Sequence, residues 1–422
     1  MEVYPIVRGP VSSVFPLLVS VALLLAGNGL LGILLVVRAS AEGFGHLGTG
    51  MIMSGYFAGF FLGTFTAPPL IRRIGHIRAF SVLASIAAVA ALLYPIWSQQ
   101  TAWVGLRILT GVALAGLCTV IESWLNAQAD PIHRSRVFSA YMMVSLLALS
   151  LGQLLLNVQP AGSFVLFSMV AIFMVAAVIP VAATQLLQPE PVSGLRLDVS
   201  KVAILAPSAA AGALLAGLVL GAFWGLGPAY AAGIGLDRAQ VSAFMSITIL
   251  GGALMQFPIG RLSDQHDRRT ALAIVSALGA ALAAVAVFLS APSFLVAALL
   301  FFFLGGLSFA LYPLCVAHLL DHLPREALLS GCSALLLLNG VGAAIGPLIA
   351  GAAMRGLGPT ALPILFVVTL LLLSVIAGGR RIMRARTLLS PARFSPMLRT
   401  TPCALALLTE TSEPEKPQGD AT

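Results

Sequence analysis

Apolar residues along this chain run together instead of alternating with polar ones, and the blocks they form are long enough to cross a bilayer as helices, for which about 20 residues suffice. The stretch Ala298 to Leu304 is apolar on every face, whereas a strand of a membrane barrel would alternate apolar and polar positions. The pattern predicts an all-α membrane protein with twelve transmembrane helices, at 14–37, 47–71, 79–97, 102–125, 137–158, 163–186, 204–230, 240–260, 270–290, 293–317, 328–353 and 360–378. The first run continues to Val37, past the usual length of a secretory signal, so it is expected to stay as helix 1.

Where the arginines fall predicts orientation. If the N-terminus is inside, the inner segments are those before helix 1, after helix 12, and 72–78, 127–136, 187–203, 261–269 and 318–327. They hold 19 of the 23 lysines and arginines. Loops facing the cytoplasm carry such an excess, so both termini are expected there. Arg38, Arg238 and Arg355 fall in outer loops, and Arg107 lies within a span. The net charge of +8 is then a topology signal that calls for no nucleic-acid partner. Polar Gln188 to Lys201, with Pro189, Pro191, Ser193 and Gly194, divides the spans six and six. The expected organisation is an N-terminus at 1–13, a six-helix bundle at 14–186, a linker at 187–203, a second bundle at 204–378, and a tail at 379–422. That tail is basic first and disordered in composition at its end.

Composition removes several function classes. Hydrophobic residues make up 59% of the 422 and charged ones 9%, against roughly 25% charged in soluble domains, and mean hydropathy is +1.01. The two lysines, Lys201 and Lys416, follow a serine and a glutamate, so no P-loop Gly-Lys-Ser/Thr exists and no nucleotide is expected. Neither lysine lies in a span, which excludes an intramembrane Schiff base. Cys118, Cys315, Cys332 and Cys403 show no C-x-x-C spacing and are expected to pack as small hydrophobes. Neither metal nor cofactor is expected.

The two halves repeat. A shift of 192 places Pro68, Arg72, Gly75 and Arg78 on Gly260, Asp264, Asp267 and Thr270, and Gly59 on Gly251. A shift of 196 places Asn28-Gly29-Leu30 on Trp224-Gly225-Leu226. Six-helix repeats related in this way are a common plan of secondary transporters.

Gly260-Arg261-Leu262-Ser263-Asp264-Gln265-His266-Asp267-Arg268-Arg269 resembles the helix 8 to 9 signature of the major facilitator superfamily, G-x-x-x-D-R/K-x-G-R/K-R/K. Arg72-Arg73-Ile74-Gly75-His76-Ile77-Arg78 is similar to a degenerate copy after helix 2. Glu122-Ser123-Trp124, Ala140-Tyr141-Met142-Met143 and Gly260-Arg261-Leu262 look most like the YcaD-type branch of that superfamily. The resemblance implies two pseudo-symmetric bundles around a central cavity, with both loops acting as cytoplasmic gating elements. Physically, Gly260 admits a close helix approach, and Asp264 can pair with Arg261, Arg268 or Arg269. In the first half Arg72 replaces the acid and Pro68 the glycine, which predicts a missing or different first clasp.

Arg107 and Glu122, both on helix 4, are the charged residues within the spans and the first candidates for substrate or coupling roles. Arg107, Gly111, Cys118 and Glu122 fall within an arc of about 60°, a face expected to line the cavity. The two charges lie roughly 22 Å apart along the helix, so each needs its own partner. Arg107 has three readings: an anionic substrate group, helix-end carbonyls, or snorkelling outward. Arg107-x-x-x-Gly111 also resembles the family's helix 4 motif, which implies a link to proton coupling. Glu122 reads as a proton site or as a bridge to Arg134 or Arg136.

The amides Asn28, Gln153, Gln256 and Asn339, with Trp224 and Tyr312 as flat walls, are the uncharged candidates; each amide taken singly reads first as glue between helices, and the set together as contacts to a polar ligand. In the resembling fold their helices face the cavity. Gly340, Gly342, Gly346, Pro347 and Gly351 give helix 11 a small-residue spine with a kink. Helix 5 lacks the G-x-x-x-G-P pattern of antiporters. His318-x-x-x-His322 with Asp321 reads as a solvated helix end.

The function these features predict is secondary active transport of a small polar or amphipathic solute by alternating access, coupled to protons, with no covalent chemistry. Drug/proton antiport is the alternative within the class. A transport-inactive sensor and a membrane-embedded enzyme are the alternatives outside it, the latter disfavoured because the dense acids belong to the 261–269 loop and the tail. The expected partners are a solute, protons and the lipid bilayer, and the expected state is a monomer.

Overall fold

The computed structural model describes residues 14–128, 134–183, 199–289, 292–323, 328–379, 394, 396 and 397. Twelve helices among them are long and apolar enough to span a membrane. They are α1 Phe15–Ala41, α2 Gly45–Ile74, α3 His76–Leu93, α4 Gln100–Gln128, α5 Arg134–Leu154 and α6 Phe164–Ala182 in the first half. The second half holds α7 Pro207–Gly233, α8 Arg238–Gln265, α9 Arg268–Phe288, α10 Phe294–Leu320, α11 Leu328–Leu357 and α12 Ala361–Gly379. A short helix, Val199–Leu205, precedes α7, so the end of the expected linker is ordered structure. The rest of that linker, residues 1–13 and most of the tail lie outside the described residues.

Local chemistry sets several helix starts. Asp237 and Gln240 form a reciprocal capping box at α8, with Asp237 Oδ1 accepting from the Gln240 N–H at 2.9 Å and Gln240 Oε1 accepting from the Asp237 N–H at 3.0 Å. Asp267 caps α9 through the N–H groups of Arg269 and Thr270, while Ser163 and Ser293 cap α6 and α10. Gly75 makes the turn between α2 and α3 at φ 84°, a region that penalises a Cβ.

The halves pack by one plan. In the first, α1 lies on α5, α2 on α4 and α3 on α6; in the second, α7 lies on α11, α8 on α10 and α9 on α12. The repeat extends to single contacts. Gly59 of α2 meets the backbone of Ile108 on α4, and Gly251 of α8 meets the backbone of Phe302 on α10. Gln153 Nε2 on α5 donates to the Gly29 carbonyl of α1 at 3.1 Å, and Asn339 Nδ2 on α11 donates to the Ala213 carbonyl of α7 at 3.1 Å. Both amides do bind helix to helix. The fold is two pseudo-symmetric six-helix bundles.

The bundles meet along two seams at the arginine-poor face. Between α2 and α11, a Cβ at Gly50 would overlap the Pro347 carbonyl, and one at Gly351 would lie 2.5 Å from the His46 carbonyl. Between α5 and α8, Ser150 Oγ and Ser246 Oγ share a hydrogen bond of 2.8 Å, and Asn157 Nδ2 donates to Ser242 Oγ at 2.7 Å. The spine of α11 therefore serves two neighbours, because Gly342 and Gly346 press on the α7 backbone while Pro347 and Gly351 press on α2.

Candidate functional site

Between the bundles lies a cavity of about 140 Å³. Arg107, Asn28, Gln153, Trp224, Tyr312 and Asn339 all line it, so six of the eight candidates from α1, α4, α5, α7, α10 and α11 converge there. Its remaining walls are mostly apolar, including Ile33, Phe57, Phe60, Leu220 and Met245. Phe309 stands edge-on to Trp224 with ring centroids 5.9 Å apart.

Arg107 is 2% exposed and does not snorkel outward. Its guanidinium lies 4.6 Å from the Tyr56 ring centroid, a cation–π contact, and Nη2 lies 3.8 Å from Met53 Sδ. Among the described residues Nε and Nη1 find no hydrogen-bond partner.

Glu122 and Gln256 depart from expectation. Glu122 is fully buried but lies outside the cavity wall, because the α4 face turns toward α5 at that level and the Tyr141 hydroxyl donates to Glu122 Oε1 at 2.8 Å. The suggested bridge to Arg134 involves a side chain outside the described residues, and Arg136 is exposed. Gly111, expected on the cavity face, instead presses against the α2 backbone at Tyr56 and Phe60, since α4 needs a side-chain-free surface to approach α2. Gln256 is buried and its Oε1 accepts from the Met397 backbone N–H at 2.9 Å.

Two residues of the tail reach the site, which sequence reasoning missed. Met397 is 2% exposed and lines the cavity, while Phe394 lays its ring on Gly260 and donates its backbone N–H to Asp264 Oδ1 at 2.9 Å. The available signal was the apolar pair Phe394 and Met397 flanking Ser395-Pro396 within the basic part of the tail. Tyr56 and Tyr141 were also missed as partners of the two buried charges; phenols on apolar helices were the signal.

The two loop motifs differ as their sequences do. Arg268, 7% exposed, bridges Asp264 at 2.7 Å and Asp321 at 3.4 Å and donates to Ser263 Oγ at 2.9 Å. Arg269 donates to His318 Nε2 at 3.4 Å, and Arg261 is exposed. In the first half Arg72, Arg73 and Arg78 are exposed, and no ion pair joins them to a described carboxylate. The expected solvated end at His318 and Asp321 is corrected: both are buried, at 1% and 5% exposure, because this end of α10 packs beneath the arginines that start α9.

Comparisons with known proteins agree with this geometry. The Major Facilitator Superfamily profile matches residues 209–397. The MFS-type transporter YcaD of Escherichia fergusonii, itself described as uncharacterised, is 29% identical over 310 residues, 72% of this chain and 79% of that protein. YcaD of Salmonella newport (strain SL254) is likewise 29% identical, over 311 residues. Among solved structures, the nucleoside transporter NupG superposes with a TM-score of 0.71 at 15% identity, covering 89% of this chain and 99% of that one. A bacterial homologue of the human lysosomal transporter Spinster, in an inward-facing and occupied conformation, gives 0.74 at 14% identity, with coverage of 90% and 98%. At these identities the structures speak for fold alone. Taken with the twelve helices, the paired bundles and the α8–α9 signature, these matches show a chain with the major facilitator fold that is similar to that superfamily over residues 209–397 and to YcaD-type transporters over 72% of its length.

Proposed function

We propose that the protein carries a small polar or amphipathic solute across the bacterial inner membrane by alternating access, with both termini cytoplasmic. The observation that carries this reading is the juxtaposition of a central cavity with two inter-bundle seams at one face only. Among the described residues, α4 makes no comparable seam with α10 or α11 at the arginine-rich face. A rocking motion that breaks the α2–α11 and α5–α8 contacts would exchange the open side for the closed one. The arginine excess supports assigning the side without a helix seam, where Phe394 and Met397 lie over the cavity, to the cytoplasm.

Proton coupling is part of the proposal. Glu122, buried on α4 and bonded to Tyr141 on α5, is a carboxyl whose charge state bears on how these two helices pack. In proteoliposomes, solute uptake should follow an imposed pH gradient and lose that dependence in Glu122→Gln. Flux that is indifferent to pH in the native chain removes the coupling. Absence of flux for any solute that stabilises the purified protein removes the carrier reading.

A further inference from the structure

The cavity contains a charge that its described surroundings leave unanswered. Arg107 is the one charged residue among those described in its lining, and no described carboxylate pairs with it. A guanidinium cannot shed its proton at any accessible pH, so this charge persists at membrane depth, where an unpaired ion is expensive. The ring of Tyr56, the sulfur of Met53 and the neighbouring Tyr94 hydroxyl are soft, partial compensation. Nε and Nη1 keep unused donors.

The space beside the guanidinium is kept open. Gly32 on α1 offers no side chain there, and a Cβ built on it would come within 3.8 Å of Nη2. One turn away on the same helix, Asn28 lines the cavity with an amide that bonds to no described residue. Gln153 Oε1 is buried without a partner. Opposite, Trp224 and Phe309 present aromatic surface.

We propose that Arg107 receives the carboxylate of an organic monoanion whose flat, apolar body lies against Trp224 and Phe309. The inference rests on the carrier reading and names its substrate class. A single cation with unused N–H donors and a neighbouring amide match one carboxylate. A dianionic phosphate would leave one charge unmatched among apolar walls, and a cation would face Arg107 directly.

The test uses purified full-length protein titrated with 2-naphthoate and 2-naphthamide, read by tryptophan fluorescence and by thermal shift. The carboxylate is expected to bind about tenfold or more tightly than the amide, because a charge-assisted pair is lost in the latter. Arg107→Gln should erase that preference and Arg107→Lys should keep part of it. The apo melting temperature of Arg107→Gln should equal or exceed that of the native chain, since an unpaired buried charge is removed; a purely structural arginine would lower it. Trp224→Phe should diminish the fluorescence change while the thermal preference for the carboxylate stays. Equal binding of carboxylate and amide, or undiminished preference in Arg107→Gln, overturns the proposal. Flux of labelled 2-naphthoate separates the two readings. Binding without flux keeps the anion site and removes the carrier, whereas flux of neutral solutes with no carboxylate preference does the reverse.

Discussion

The Phe394 backbone N–H donates to the Asp264 carboxylate across 130 residues of sequence, while the same carboxylate holds Arg268 at 2.7 Å. The tail thus docks on the α8–α9 signature, with the Phe394 ring seated on Gly260 and Met397 reaching the cavity. Asp264 serves a clasp and a cover at once.

Truncation before Phe394 should uncover the cavity. Cys118 lines it and is half-buried, so its labelling by a water-soluble maleimide reports access. With Cys403→Ser in the full-length control, truncation should raise the labelling rate roughly ten- to thirtyfold, as expected from losing two hydrogen bonds of about 1 kcal/mol each. An unchanged rate means these residues do not cover the cavity.

The seam at Ser150 and Ser246 is close enough to trap. Cysteines at both positions should cross-link under mild oxidation, because the native hydroxyls lie 2.8 Å apart. The oxidised protein should stop solute flux and a reductant should restore it. Flux that continues through the cross-linked form shows that this seam need not open.

The two anchors of Arg268 should differ in worth. Asp321 is buried beside it, whereas the Asp264 side chain is 36% exposed. Arg268→Gln, which withdraws a cation from buried Asp321, should cost about 3–5 kcal/mol. Asp264→Asn should cost under about 1 kcal/mol. Denaturation followed by tryptophan fluorescence distinguishes them, and the opposite ranking contradicts the buried assignment.

Close packing gives a matched pair of glycine tests. At Gly251 a Cβ would collide with the Phe302 backbone, while Gly105 has open space where its Cβ would be. Gly251→Ala should therefore destabilise by about 1–3 kcal/mol, through overpacking that backbone cannot relieve. Gly105→Ala should leave the melting temperature unchanged or raise it slightly, since alanine favours a helix by about 1 kcal/mol over glycine.

How much of the site was legible follows from what each residue type reveals alone. Arg107 stood out because a charge in an apolar block is conspicuous, and the structure places it in the cavity. Glu122 stood out for the same reason, yet its outlook was invisible. The arc that joined it to Arg107 assumed that one face of α4 has one neighbour, whereas α2 covers Gly111 and α5 supplies Tyr141. Gln153 and Asn339 were read as substrate contact or glue, and both prove to line the cavity while bonding a neighbouring helix.

The sequence by itself determined the helix count, the arginine-rich and arginine-poor faces, the internal repeat and the unequal loop motifs, because each is a property of short segments and of their solvent, lipid or water. Tertiary structure alone decided that the arginine-poor face is shut, that Arg107 has no described carboxylate within reach, and that Phe394 and Met397 close on α8. These depend on how helices cross and which faces they hide. Periodicity sets which residues share a helix face, while packing between distant helices sets what that face meets.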